Sequence, residues 1–404
     1  MVFYYFCNEM DEKTHNFIIA HRKDDVRQLA LKAAKEQLPD LPFALDQIRG
    51  WQVARTKVPS WAANDDIVYP CHLSMEQCSS EVTARYKASI CGHGRRFVDL
   101  TGGMGVDFSF MSVGFQERIY VERDSTLCAI AKENFAALGL DAAVVNSDCE
   151  SFISLMEPAD TVFIDPARRD AGGGRTYAIS DCTPDVLQLL PLLLQKAQRI
   201  ILKLSPMLDW HKAVADLGST TVSEVHIVSV GNECKELLLV LDNEGHDTMV
   251  HCINDNQRFE FCPTGLTEQA SLTCLTSPTC LTSPLFLYEP NASIMKAGCF
   301  NEVALHYGLS AISPNTHLFV SDHLVSRFPG RSFTIENVIP LTKTALRQHL
   351  HHITHANIAV RNFPESVAAL RKRLKLSDGG DIYLFATTLA GGEHRLFICK
   401  KVKS

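Results

Sequence analysis

Val98-Asp99-Leu100-Thr101-Gly102-Gly103-Met104-Gly105-Val106-Asp107 reads as a buried strand that runs into a glycine turn and opens a helix. Glycines at 102, 103 and 105 let the backbone approach a ligand closely. A dinucleotide fold would place G-x-G-x-x-G here, yet Phe108 stands where the third glycine belongs. Asp99 closes the strand and Asp107 follows the turn, so a phosphate is disfavoured and a ligand with cationic centres is favoured. Glycine turns between strand and helix also serve as plain packing devices, so the neighbouring strands decide the reading.

Seventeen residues beyond Gly105, the apolar run Ile119-Tyr120-Val121 ends in Glu122, placed to offer a carboxylate to the hydroxyls of a ribose. Ala143-Val144-Val145 leads to Asp148-Cys149, where an acid can accept from an adenine amino group. Thr161-Val162-Phe163-Ile164 runs into Asp165-Pro166-Ala167-Arg168-Arg169. Four successive strands thus end in polar residues on one sheet edge, where open α/β sheets bind ligands. A fifth strand is expected over 199–204, and a closing pair over 224–230 and 236–241. The segment 231–235 is too short for a parallel crossover, so that pair should be antiparallel.

On these motifs, residues 70–242 resemble the class I S-adenosylmethionine-dependent methyltransferases. The resemblance implies an α/β fold with a Rossmann-like seven-stranded sheet, one strand antiparallel, and S-adenosylmethionine as cofactor, whose sulfonium and ammonium suit the acids of the turn. It implies that Asp99, Thr101, Gly102, Gly103, Gly105, Asp107, Glu122, Asp148 and Cys149 hold the cofactor, joined by Gln77 from the segment upstream of the turn. Asp165-Pro166-Ala167-Arg168 lies where the family carries its D/N-P-P-Y type motif, which holds a target nitrogen by one side-chain and one backbone acceptor. Here Ala167 replaces the second proline and Arg168 the stacking aromatic residue, which is closer to the D-P-P-R pattern of several RNA methyltransferases. Asp165, Pro166 and Arg168 are therefore expected at the transfer centre, with Arg169 and Lys203 on the substrate side. A blander reading has Pro166 ending the strand and the arginines pairing with nearby acids. Upstream, Ser79 or Ser80 is a natural N-cap for a helix through Ala88, and Lys87 faces the cofactor by position only.

At 404 residues and 46% hydrophobic content, the chain should form two or three domains. No run of 18 uncharged apolar residues occurs, and the start lacks the basic flank and long apolar core of a signal peptide, so a cytoplasmic protein without a membrane partner is expected. The 14 cysteines are scattered with no C-x-x-C pair, as free thiols in a reducing compartment would be. His349, His351, His352 and His355 lack thiol or acid partners and read as a polar helix end, so no metal is expected.

The expected domains are a helical N-terminal module over 1–69, the methyltransferase domain over 70–262, a linker over 263–284, a small α+β segment of ferredoxin-like aspect over 285–330, and a basic α+β domain over 331–404. Val26, Leu29, Ala30, Ala33 and Ala34 mark one helix face of the first. The linker contains the tandem Thr273-Cys274-Leu275-Thr276-Ser277-Pro278 and Thr279-Cys280-Leu281-Thr282-Ser283-Pro284. Within 285–330, a single helix is expected over 292–307 and a strand over 318–320. Residues 331–404 hold 12 Lys and Arg against 5 acids, a net of +7 within a chain of net −7. Such asymmetry points to an anionic partner, most often nucleic acid. Strands over 333–338 and 357–360, helices over 342–353 and 364–376, and a hairpin of 382–387 with 395–402 complete that domain. This order is similar to the THUMP-like C-terminal domains of some bacterial methyltransferases, and THUMP modules belong to RNA-modifying enzymes. The resemblance implies methylation of a base nitrogen in structured RNA, tRNA or rRNA, gripped in part by Arg371, Lys372 and Arg373. A protein or small-molecule methyltransferase, and an RNA-binding protein that keeps cofactor affinity without catalysis, remain as alternatives.

Overall fold

The computed structural model describes residues 12–33, 40–70, 72–168, 179–245, 247–263 and 285–402. The start of the chain, Ala34, Arg169 and the tandem repeat at 273–284, all invoked above, lie outside the described residues. The chain forms two units, one of the described residues up to Val225 with Lys235–Thr248, the other of His226–Cys234 with the described residues from Met249 onward.

The first unit begins with helices α1 (Glu12–His21), α2 (Val26–Ala33), α3 (Leu41–Lys57) and α4 (Pro59–Ala62). The stripe expected on α2 is used: Val26 and Leu29 pack with Phe17, Ile18, Ala44 and Ile48. Two side-chain amides then hold the chain leaving this module. Gln47 on α3 donates to Tyr69 O and accepts from Tyr69 N, both at 2.8 Å. Asn134, wholly buried on a helix of the sheet domain, does the same for Val68, again at 2.8 Å each way. Neighbouring residues are thus held like strand partners, one from each side. Gly50 lets Tyr69 lie against α3, since a Cβ there would stand 2.3 Å from the Tyr69 side chain.

Next come α5 (His72–Gln77), α6 (Glu81–Cys91), β1 (Gly94–Asp99), α7 (Val106–Met111), β2 (Phe115–Glu122), α8 (Ser125–Ala137), β3 (Ala143–Asn146), α9 (Cys149–Leu155) and β4 (Ala159–Ile164). The short pair β5 (Ala167–Arg168) and β6 (Cys182–Thr183) precedes α10 (Val186–Lys196), β7 (Ala197–Leu204), α11 (Trp210–Leu217), β8 (Val222–Val230) and β9 (Glu233–Leu241). Ser80 caps α6, and aspartates 124, 148, 185 and 209 cap α8 to α11, each accepting from backbone N–H groups of the first turn. These seven strands lie in the order β8-β9-β7-β4-β1-β2-β3. β1 to β4 and β7 are parallel, and β9 runs antiparallel to β7. Strand order reverses between β1 and β4, so their carboxyl ends flank the crevice where such sheets bind ligands. The turn between β8 and β9 is tighter than the sequence implied, with Gly231 and Asn232 both at positive φ (58° and 64°) as a two-residue hairpin requires.

In the second unit, β10 (Met249–Asn254) and β11 (Gln257–Phe261) form an antiparallel hairpin. The rest comprises β12 (Leu285–Pro290), α12 (Ala292–Ala297), α13 (Phe300–Tyr307), β13 (Ser310–Ala311), β14 (Phe319–Ser321), β15 (Gly330–Pro340), α14 (Lys343–Leu350), β16 (Asn357–Arg361), α15 (Val367–Leu374), β17 (Ile382–Thr388) and β18 (His394–Lys401). The single helix expected over 292–307 is corrected to two, because Gly298 takes φ +72° and caps α12 in the left-handed conformation. The sheet order is β13-β14-β12-β15-β18-β17-β16. β15 joins its halves, pairing with β12 through residues 330–335 and with β18 through 333–340. Alternation splits the core: Leu287, Phe333, Phe385 and Phe397 form one cluster, while Leu384, Leu396 and Ile398 pack with Leu350 and Leu370 from α14 and α15. Glu289, 5% exposed, ties the halves further by accepting from both Arg331 and Arg361. Among the described residues, no helix is long and apolar enough to cross a membrane.

The Asn134 clamp is testable by denaturation. Asn134→Leu removes the partners of the half-buried N–H and C=O of Val68, at roughly 1–3 kcal/mol in all. Chemical denaturation should show a loss within that range and a lowered midpoint, and a loss below about 0.5 kcal/mol would show that the clamp carries no stability.

Candidate active site

At the carboxyl end of β1 each glycine of the turn answers a different constraint. A Cβ on Gly102 would lie 2.2 Å from the Tyr120 ring, and one on Gly105 would lie 2.9 Å from the Phe135 ring, so both are packed from below. Gly103, at φ +56°, is different: its nearest neighbour would be Thr101 O at 3.8 Å, so its Cβ position faces open space. The turn is braced by Glu122, which accepts from Gly103 N and Asp124 N at 2.9 Å each, and by the Tyr120 hydroxyl, which donates to Gly103 O.

Asp99 does not line this space. It is 1% exposed and accepts from Thr101 N at 2.9 Å. Burial, reinforced by Asp107, Asp165 and Glu122, pushes its carboxyl well above the usual range. Thr101 in turn accepts from the backbone N–H of Asp165 at 2.7 Å, linking the ends of β1 and β4.

Asp165 lies at the end of β4, its side chain 37% exposed, and its Oδ2 accepts from Lys203 Nζ at 2.5 Å. Lys203 Nζ also stands 3.7 Å from Asp107. Asp107 lies 3.1 Å from Lys87 Nζ and accepts from Ser79 at 2.6 Å. Lys87, with no exposed surface, donates to Glu236 at 2.5 Å and to Ser79 at 3.1 Å. Burial opposes the charge on Asp107, but Lys87 and Lys203 outweigh it and hold its carboxyl below the ordinary range. Lys203 shows the matching effect: burial lowers it, Asp165 and Asp107 raise it further, and it stays charged.

Sequence reasoning placed Lys203 in the crevice without its partners, and gave Lys87 only a position. The segment before α6 contributes Ser79 to this network, whereas Gln77 is exposed. In the sequence Glu236 reads only as part of a turn over 232–236, equally a solvated turn or a substrate-side segment, although a carboxylate opening the apolar run of β9 was a signal for burial, as was Lys87 at helical spacing with the buried Ala84 and Cys91. Asp148 caps α9, accepting from Ser151 N and Oγ, and Cys149 is buried beside it. Pro166 is buried, and the Arg168 backbone pairs with Cys182. Of the basic trio on α15, Arg371 is bound to Asp378 and Ala356 O, Arg373 to Glu365, and Lys372 is exposed.

A ferredoxin-like domain family matches residues 286–329, and a THUMP domain-like family matches residues 330–401. A crystal structure from Porphyromonas gingivalis W83, provisionally described as a methyltransferase, is 32% identical with a TM-score of 0.84, covering 98% of this chain and 100% of that one. Two curated relatives from Mycobacterium tuberculosis, strains H37Rv and CDC 1551, are described as uncharacterized S-adenosylmethionine-dependent methyltransferases. Each is 22% identical over 340 residues, 83% of this chain and 87% of its own length.

The open space at Gly103 yields a direct test. A Cβ at Gly103 meets no atom nearer than 3.8 Å, although φ +56° strains any side chain there, so calorimetry on Gly103→Val, with folding checked by circular dichroism, should show S-adenosylmethionine affinity falling by about 10-fold or more. Glu122→Ala should weaken binding as well. Unchanged affinity in both would place the cofactor elsewhere.

Proposed function

The chain belongs to the S-adenosylmethionine-dependent methyltransferase-like proteins that carry a ferredoxin-like segment and a THUMP-like C-terminal domain, and from that membership we propose that it methylates a base nitrogen of structured RNA, tRNA or rRNA, in the cytoplasm. The observation that carries the chemistry is Asp165: a partly exposed carboxylate at the switch point of the sheet, with one oxygen held by Lys203 and its backbone N–H held by Thr101.

The donor set fits the cofactor. Open space at Gly103, the braced Glu122 carboxylate and the exposed Asp148 line the carboxyl ends of three successive strands. Thr101, Gly102, Gly103 and Glu122 would hold it, with Asp148 and Cys149 at its adenine end. When bound, S-adenosylmethionine supplies a methyl carbon to a nitrogen lone pair, the carbon–sulfur electron pair remaining on sulfur. Asp165 accepts a hydrogen bond from the target N–H, orients the lone pair, and takes the proton that the methylated nitrogen must lose, or passes it to water. Its Oδ1 is the oxygen left for this, because Lys203 occupies Oδ2.

RNA is favoured over other substrates by the +7 charge of residues 331–404 and by the THUMP-like match. With Arg371 and Arg373 engaged by acids, the cations that α14 and α15 offer to phosphate are Lys343, Arg347, Lys372 and Lys375, all exposed. The ten cysteines among the described residues are free thiols, which suits a reducing cytoplasm.

Asp165→Ala should keep cofactor affinity within a few fold and reduce single-turnover methyl transfer by roughly 10²-fold or more. Transfer at the wild-type rate would move the reaction away from this residue. Neutralising Lys343, Arg347, Lys372 and Lys375 should weaken binding of bulk tRNA and lower the log–log salt slope by about 0.7 to 0.9 for each phosphate that the protein no longer neutralises. The Arg371→Ala, Arg373→Ala pair should do less. Absence of RNA affinity at low salt in the wild type would direct the search to a protein or small-molecule substrate.

A further inference from the structure

We propose that Lys203 is a positioning residue for methyl transfer: it holds the Asp165 carboxylate toward the target nitrogen, and is itself held by a buried chain of alternating charges through Asp107, Lys87 and Glu236. This rests on the reading that puts Asp165 at the transfer centre.

The charges run Asp165, Lys203, Asp107, Lys87, Glu236, with N···O separations of 2.5, 3.7, 3.1 and 2.5 Å. Every inner ion has an opposite charge on both sides, and Ser79 bridges Asp107, Lys87 and Glu236. The members come from the end of β4, from β7, α7, α6 and β9, so four elements fix the far end of a chain whose near end, at β4, is its most exposed carboxylate. A lysine ammonium is otherwise a mobile point charge on a flexible stem. Here Lys203 is 13% exposed and lies between two carboxylates, which leaves little surface for a phosphate and repels one. The arrangement suits holding Asp165 better than gripping the substrate.

Lys203 also sets the charge state of Asp165. The groups facing that carboxyl are Lys203 from β7, Asp107 from α7, Lys87 from α6 and Asp99 from β1. Burial pushes it up, Lys203 is the largest opposing influence, Asp107 pushes it further up and Lys87 draws it down. Without Lys203 the balance shifts upward, and a carboxyl that must be ionised to accept a proton is protonated over more of the pH range. In the folded protein, stability of the variant is then lost relative to wild type as pH rises through the window between the two folded-state values of Asp165.

The test uses the full chain as wild type, Lys203→Met, Lys203→Gln, Lys203→Arg and Asp165→Ala. Single-turnover transfer from labelled S-adenosylmethionine to total RNA of cells lacking the gene is followed between about pH 5.5 and 9, with cofactor affinity by calorimetry and the thermal midpoint across the same range. In Lys203→Met the rising limb of the rate profile should move to higher pH, so that transfer falls about 10-fold or more near the acid end and recovers toward the alkaline end. KM for RNA and cofactor affinity should stay within about 3-fold, and Lys203→Arg should restore most of the wild-type limb. The midpoint gap between Lys203→Met and wild type should widen as pH rises, a readout that needs no substrate. Lys203→Gln carries the same test if the Met variant unfolds. An unmoved limb, a raised KM with kcat retained, or a midpoint gap independent of pH overturns the proposal. If Asp165→Ala transfers like wild type, the placement of the reaction fails instead, and if wild type labels no RNA, the substrate reading fails while the midpoint arm still decides the role of Lys203.

Discussion

Lys87 has no exposed surface, and a buried ammonium costs several kcal/mol of lost hydration unless it is paired with good geometry. That requirement organises the catalytic sheet. Glu236 and Asp107 must both arrive within about 3 Å of one nitrogen, so β9 and α7 have to meet α6 in a single register. Apolar side chains of similar volume in place of the whole group would often be as stable there, so the ionic solution is understood by what it positions: an acid–base alternation that continues through Lys203 to Asp165.

Below the glycine turn a different constraint operates. Phe108, Tyr120 and Phe135 pack as a mutual aromatic triad with centroids 4.8 to 5.6 Å apart. The Tyr120 and Phe135 rings occupy the space that side chains at 102 and 105 would need, and the Tyr120 hydroxyl reaches Gly103 O. The aromatic at 108, where a dinucleotide fold would carry glycine, is thus part of the platform that holds the turn up. Gly103 alone faces outward, so one residue carries the requirement for open space while its neighbours carry packing.

Strands, their order of appearance and their polar ends were legible because each signal is local: an apolar run, then an acid. The THUMP-like half was equally readable, since its strand and helix periods alternate cleanly. What could not be read depends on partners distant in the chain. Glu236 and Lys87 are 149 residues apart, and nothing in either neighbourhood names the other. Asp99 reads as an exposed carboxylate until its burial is known, and then it is a buried acid that supports the turn by accepting from Thr101 N. Arg371 and Arg373 read as free cations, but acids seven and eight residues away take them up. The break at Gly298 was within reach, since a glycine inside a helical pattern is a recognised stop.

The acidic site is compatible with the anionic substrate proposed for it, because the acids are not left as bare charge. Asp99 is buried with its carboxyl pushed well above the usual range, Asp107 is shared by two lysines, and Asp165 has one oxygen occupied by Lys203. The field that a phosphodiester meets near the transfer centre is therefore weaker than the count of carboxylates suggests, since the opposing charges lie within hydrogen-bonding or ion-pair distance, well inside a screening length of about 8 Å at physiological salt. Residues 1–330 carry −14 and residues 331–404 carry +7, so the chain separates long-range attraction from local chemistry. Under the proposed RNA reading, the cations for phosphate sit at the surface of α14 and α15, where their desolvation is cheap, while Asp165 keeps Lys203 as its own counter-charge.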